Sequence, residues 1–90
     1  QSEFEKAAII YKILTLAKKT YHDSIITVAD MKKWVKWEIN SNEFFKLEYF
    51  EISDAQSLKP IENWTEAEHC VACIALYMGK VRLIDNVIIF

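Results

Sequence analysis

Cys70-Val71-Ala72-Cys73 is a Cys-x-x-Cys pair that follows directly on His69. Thiols and an imidazole so placed could bind zinc or exchange disulfides. A zinc site needs about four donors converging on one point. The chain has two Cys and two His, and His22 lies in a distant segment. A redox pair wants its first Cys at a helix start with a low-pKa thiolate, whereas Val71 and Ala72 are neighbours of the kind found in a core. In a strand, residues three apart face opposite sides, so the two sulfurs could not share an ion. The residues read as structural cysteines, with no metal site expected.

A second group with chemical potential is Arg82, Asp85 and Asn86, inside the apolar run from Val81 to Phe90. In a strand, Arg82 and Asn86 share one face and Asp85 takes the other. Two readings stand. In the structural one, Arg82 pairs with Glu48, Glu51 or Asp54, while Asp85 and Asn86 bond backbone at a bulge or bend. In the functional one, the three orient this domain against another. Lys80 and Arg82 could meet a phosphate, although a turn lysine is ordinarily just solvated. No nucleophile elbow or Gly-rich phosphate loop accompanies the Ser, His and Asp residues.

The elements that must position these groups follow from hydrophobic period. Residues 3–21 carry Phe4, Ala7, Ile10, Tyr11, Ile13, Leu14, Ala17 and Tyr21 on one wide helical face. Ser2 can cap that helix, Glu3 and Glu5 suit its positive end, and Lys18 and Lys19 suit the other. His22 to Ile26 reads as a connector. Thr27 with Asp30 opens a second helix with Val28, Met31, Val35 and Ile39 as its buried stripe. Trp34 flanks the stripe and Trp37 points nearly opposite. Asn40-Ser41-Asn42 stops it, leaving a two-helix hairpin.

From Phe45 the period falls to two: Leu47, Tyr49 and Glu51 alternate with Glu48, Phe50 and Ile52, as a strand requires. Ser53 to Gln56 is turn-like, Lys59-Pro60 ends any continuation, and residues 61–66 read as a polar loop. Residues 67–78 admit two assignments. Thr65 with Glu68 and then Gly79 could bracket a helix. Unbroken apolar character on both alternating sets instead fits a strand buried on both faces. The β-branched run from Val81, a few turn residues later, favours an antiparallel hairpin bent at Gly79-Lys80. The expected fold class is α+β: a two-helix hairpin on a small three-stranded antiparallel sheet that ends in a C-terminal β-hairpin.

Ninety residues suffice for one domain. A net charge of −2 gives no field to hold nucleic acid or an acidic membrane. No apolar stretch reaches the roughly 18 residues that span a bilayer, and Gln1 to Lys6 is polar and charged, so a cytoplasmic protein is expected. Asn63-Trp64-Thr65 is then a chance sequon. Aromatic residues at 13% are core filling in the absence of a basic stripe. A hydrophobic share of 52%, slightly above the usual, hints at apolar surface meant for a partner or another domain.

The segment Gly79-Lys80-Val81-Arg82-Leu83-Ile84-Asp85-Asn86 resembles the end of the pantoate–β-alanine ligase family, which typically closes Gly-x-x-Arg-Leu-Ile-Asp-Asn. Tyr49-Phe50-Glu51-Ile52-Ser53-Asp54-Ala55-Gln56-Ser57-Leu58-Lys59-Pro60 is similar to that family's Tyr-x-Glu-x-x-Asp-x-x-x-Leu-x-Pro. The resemblance covers the second half of the chain well and the first half only in pattern. It marks Asp54, Arg82, Asp85 and Asn86 as family-motif residues with a structural or domain-interface role.

Enzymes of this family join pantoate to β-alanine through pantoyl adenylate, using ATP and Mg2+, on the way to coenzyme A. The resemblance implies that residues 1–90 are the C-terminal lid domain of a two-domain ligase. Its partner would be a Rossmann-like N-terminal catalytic domain, with a homodimer left open. The family's His-x-Gly-His and Lys-Met-Ser-Lys-Ser-like motifs are absent from this sequence. No catalytic residue carries over, so the piece alone should be inactive and bind no cofactor. Two other readings compete: a free-standing α+β interaction module, supported by Trp37 and the apolar excess, and a thiol or metal protein built on Cys70 and Cys73.

Overall fold

Apolar residues at helical spacing open the chain and become α1 (Glu3–Asp23) in the computed structural model, which describes residues 3–90 and side chains from Ala8 onward. The proposed Ser2 cap and the placements of Phe4, Ala7, Glu3 and Glu5 lie outside those described residues. Ile10, Ile13, Leu14 and Ala17 are buried, and Tyr21 packs against the same core. Tyr11 is exposed instead of buried. It sits roughly 100° around the helix from Ile10, outside a stripe that is narrower than the sequence suggested. The helix also runs through His22 and Asp23 into the expected connector, closing with the Ser24 amide on the Thr20 carbonyl at 3.0 Å.

Helix α2 (Val28–Asn40) begins where Thr27 Oγ1 accepts from the Asp30 amide at 3.0 Å. That bond satisfies one of the orphan donors of a helix start. Val28, Met31, Val35 and Ile39 are its buried residues, as the period required. Ser41 caps the far end, its amide on the Trp37 carbonyl at 2.9 Å. The amide of Phe44 donates to Asn42 Oδ1 at 2.9 Å, which turns the chain into the sheet.

Strands β1 (Phe45–Asp54), β2 (Cys70–Met78) and β3 (Val81–Ile88) form an antiparallel sheet in that order. The strand assignment for 70–78 therefore holds, and the helical alternative does not. Gly79-Lys80 is a two-residue turn between the paired Met78 and Val81. Gly79 has φ +61, a left-handed value that costs glycine little.

In β1 the plain alternation fails. The register shifts between Leu47 and Tyr49, leaving Glu48 as a bulge. Phe45 and Leu47 pair with Met78 and Leu76, while Phe50 and Ile52 pair with Ile74 and Ala72. Odd positions before the bulge and even positions after it thus face the same way. Were Glu48 paired within the ladder, a period of two would place one of the two sets in water.

Helix α2 lies over β1 and α1 over β3, so the sheet is covered on one face. Leu14, Met31, Val35, Ile39, Ile52, Ile74, Leu76 and Ile89 are completely buried between the layers. The expectation that β2 is buried on both faces holds for Val71 and Ala75 and fails at Cys73 and Tyr77. Cys70, Ala72, Ile74, Leu76 and Met78 lie in the core, but Tyr77 is exposed and Cys73 half-buried on the other side. Ala75 and Val71 are buried there because they are short beside their cross-strand neighbours Tyr49, Ile84 and Ile88.

The loop at 61–66 is less polar in effect than in composition. Ile61 is buried, and residues Trp64–Glu66 form a single 3-10 turn. Trp64 Nε1 donates to the Ile26 carbonyl at 2.7 Å, and its ring meets Tyr21 at a centroid distance of 4.7 Å. Tyr21 in turn stacks on Phe90 at 4.9 Å. The last two residues are held by backbone as well: the Ile89 amide donates to the Cys70 carbonyl, and the Cys70 amide to the Phe90 carbonyl.

Leu76, central and fully buried, should lose about 3 kcal/mol on Leu76→Ala, measured by urea unfolding. Deleting Glu48 should leave cooperative unfolding intact, since it restores simple alternation with every inward residue in place.

Candidate functional site

The outward sheet face is built from cross-strand rows. Lys46, Tyr77 and Arg82 form one, and Tyr49, Ala75 and Ile84 the next. Glu51, Cys73 and Asn86 form a third, and Ser53, Val71 and Ile88 a fourth. Because Glu48 is extruded from the ladder, its carboxylate reaches across Tyr77 to Arg82. Arg82 Nε donates to Glu48 Oε1 at 2.9 Å and Nη2 to Oε2 at 2.8 Å, a two-pronged pair. The guanidinium bonds hold the Glu48 carboxyl below its ordinary 4.5, with Tyr77 adding a smaller contribution. The Arg82 guanidinium is raised in return.

Of the three acids considered for Arg82, the structure selects Glu48. Glu51 instead meets Lys32 of α2 at 2.6 Å. Asp54 lies at the opposite end of the strand, opposite Cys70. Its Oδ1 accepts from the amides of Gln56 at 2.8 Å and Ser57 at 3.1 Å. These two bonds, Ser57 first, hold the Asp54 carboxyl below its ordinary 3.8, and the charge of His69 adds to them. The Leu58 amide closes the turn on the Asp54 carbonyl at 2.8 Å, with Leu58 itself at φ 62.

Arg82 and Asn86 do share the outward face, and Asp85 opposes Ile74 on the helix-facing side. Asp85 Oδ1 accepts from the Asn86 amide at 2.8 Å. No bulge or bend occurs there, since β2 and β3 stay in continuous register from Val71–Ile88 to Met78–Val81. The bulge that reasoning placed at Asp85-Asn86 lies at Glu48. The four motif residues therefore do not converge: two face outward, one faces the helices, and Asp54 closes a turn at the far end.

Cys70 is buried in the core and Cys73 half-buried on the outward face, both as free thiols. Burial, helped by the charge of Asp54, pushes the Cys70 thiol up to about 11. Burial also raises Cys73. Such thiols are poor nucleophiles at neutral pH. A recess of about 580 Å³ lies beside the Asp54 turn and is lined by Glu66, Glu68, His69 and Phe90 among others. Its charged groups are mostly acidic, which suits no phosphate. Among the described residues, no group of three or more His, Cys, Asp or Glu is arranged to hold a metal ion. Arg82, the guanidinium nearest the hairpin turn, has two of its donor nitrogens committed to Glu48. Among the described residues, neither the recess nor Arg82 offers a free cationic group suited to a triphosphate.

The described residues form a two-layer α+β domain whose polar groups stabilise turns and strands. The pantoate-beta-alanine ligase family profile matches residues 1–88, and the chain belongs to that family. A pantothenate synthetase of Azobacteroides pseudotrichonymphae is 36% identical over 83 residues, covering 92% of this chain and 29% of the relative. That of Porphyromonas gingivalis is 47% identical over 55 residues, or 61% of this chain and 20% of the relative. The crystal structure of the Thermus thermophilus enzyme superimposes with a TM-score of 0.79 at 20% identity, over 100% of this chain and 32% of that one. This chain therefore spans about a third or less of these relatives and matches the C-terminal domain of the full-length enzyme.

Because both Glu48 and Asp54 are lowered, their stabilisation is complete above their ordinary values and is lost as pH falls through the lowered ones. The thermal midpoint should stay level from pH 7 to 5 and decline once the pH drops below about 4; Glu48→Gln should flatten part of that decline. In iodoacetamide labelling at pH 8, Cys73 should react at least ten times faster than Cys70, with the difference gone in urea.

Proposed function

We propose that this chain is the lid domain of an ATP-dependent ligase that condenses pantoate with β-alanine to pantothenate through pantoyl adenylate. The observation that carries this is the family match over nearly the whole chain, together with a length of 29% of a relative named pantothenate synthetase. The phosphate-handling groups, ATP and Mg2+ then belong to the N-terminal catalytic domain. That division agrees with an Arg82 already committed to Glu48.

Adenylate formation needs groups that neutralise a triphosphate and align a carboxylate for in-line attack. Nothing in the present residues supplies that set, so the domain alone is inactive. Its contribution is to exclude water from a reactive acyl phosphate until the amine arrives. A cytoplasmic site of action suits this chemistry, and no helix among the described residues is long and apolar enough to cross a membrane. The exposed Trp37, with the apolar excess of the sequence, favours a free-standing interaction module instead.

The full-length polypeptide should release AMP and pyrophosphate and form pantothenate from pantoate, β-alanine and ATP, while residues 1–90 alone form none. Removing these residues should raise the escape of pantoyl adenylate into solution at least tenfold, and supplying them in trans should reverse it. Unchanged escape would dismiss the lid role; synthesis by the isolated piece would dismiss the division of labour.

A further inference from the structure

The outer strands of an open sheet carry unpaired backbone groups, and an outer strand that is long, flat and apolar invites another strand to pair with it. The two outer strands here differ in how that is met. Along β1 the Glu48 bulge breaks the ladder near one end. The returning connection covers the other: the Asp54 amide donates to the Lys59 carbonyl, the Ile61 amide to the Ile52 carbonyl, and Pro60 bridges Ser53. Strand β3 has neither device. Its register is unbroken from Val81 to Ile88, and among the described residues no segment pairs with its outer side.

Which groups of β3 stand open follows from the alternation of an antiparallel ladder. The Ile89 amide donates to the Cys70 carbonyl, so Ile89, Val87, Asp85, Leu83 and Val81 turn their amides toward β2. Those of Ile88, Asn86, Ile84 and Arg82 turn away. The Asn86 amide, however, is already taken, since it donates to Asp85 Oδ1 at 2.8 Å. Asp85 is itself out of place in the strand. The helix-facing row reads Val81, Leu83, Asp85, Val87 and Ile89, one charge among apolar residues. Leu83 and Val87 on either side pack against the core, and among the described residues no cation pairs with the carboxylate.

Without that carboxylate, β3 is close to self-complementary when turned antiparallel on itself. With Ile84 opposite Ile84 of a second copy, the open groups of Arg82 face those of Asn86 in the copy, and Val81 meets Val87 on the helix-facing side. Asp85 obstructs this register twice. It holds the Asn86 amide that the Arg82 carbonyl of the copy would need, and it would place a charge opposite Leu83. Inward-pointing charges on outer strands are one way that sheets avoid such pairing.

We propose that Asp85 guards the open edge of β3 and keeps it from pairing, about Ile84, with β3 of a second copy of the polypeptide. This role does not depend on which reaction the polypeptide catalyses.

In the full-length polypeptide, Asp85→Val removes both obstructions, and the mass by sedimentation velocity should rise at least twofold over that of the unsubstituted polypeptide. Adding Ile84→Pro removes an open amide at the centre of the edge without touching a bond to β2, and should restore the original mass. Adding Ile84→Cys instead should let the associated Asp85→Val chains cross-link on oxidation, because directly opposed residues that exchange both bonds lie about 5.5 Å apart, within disulfide reach. An unchanged mass for Asp85→Val, or an association that survives Ile84→Pro, would overturn the proposal. Amide hydrogen exchange in the unsubstituted polypeptide tests it without any variant. Asn86 should exchange more slowly than Ile84, and Ile84 at least ten times faster than Leu83. An Ile84 amide as slow as that of Leu83 would show the edge already covered and would likewise overturn the proposal.

Discussion

One surplus residue in β1 governs how this domain is put together. A strand presents its side chains with a period of two, and the apolar residues of β1 change phase between Leu47 and Phe50. Glu48 absorbs the difference by leaving the ladder, so that Phe45, Leu47, Phe50 and Ile52 all meet the helices. The same displacement points a carboxylate across Tyr77 toward Arg82. Core continuity and the two-pronged polar contact on the open face thus have one origin.

Charged residues work at the margins of the fold. Arg82 joins both edge strands over the central one, Lys32 ties α2 to β1 through Glu51, and Asp54 accepts the two amides that begin the β1–β2 connection. Exposed ion pairs of this sort contribute little net stability, but they set register and turn geometry.

The end of the chain is fastened by a second device. Ile89 and Phe90 extend the sheet's pairing to Cys70, His22 donates to the Ile89 carbonyl at 2.9 Å, and Tyr21, Trp64 and Phe90 form a ring cluster. Helix α1, the long connection and the C-terminus meet there. Helix α1 is therefore held at the Phe90 end of the sheet.

Much of this was legible from residue order. Helix α2 could be read outright, because Val28, Met31, Val35 and Ile39 recur at helical spacing behind a Thr27 cap. The hairpin could be read because β-branched residues flank a Gly-Lys turn, and the opposite facing of Cys70 and Cys73 follows from strand geometry alone. These are local properties, set by backbone period and capping. The bulge at Glu48, the choice of that residue over Glu51 and Asp54 for Arg82, the dispersal of the four motif residues and the exposure of Tyr11 were not legible. Each depends on which segment lies across from which, and pairing between residues some thirty positions apart is decided by packing of the whole core, which no local pattern encodes.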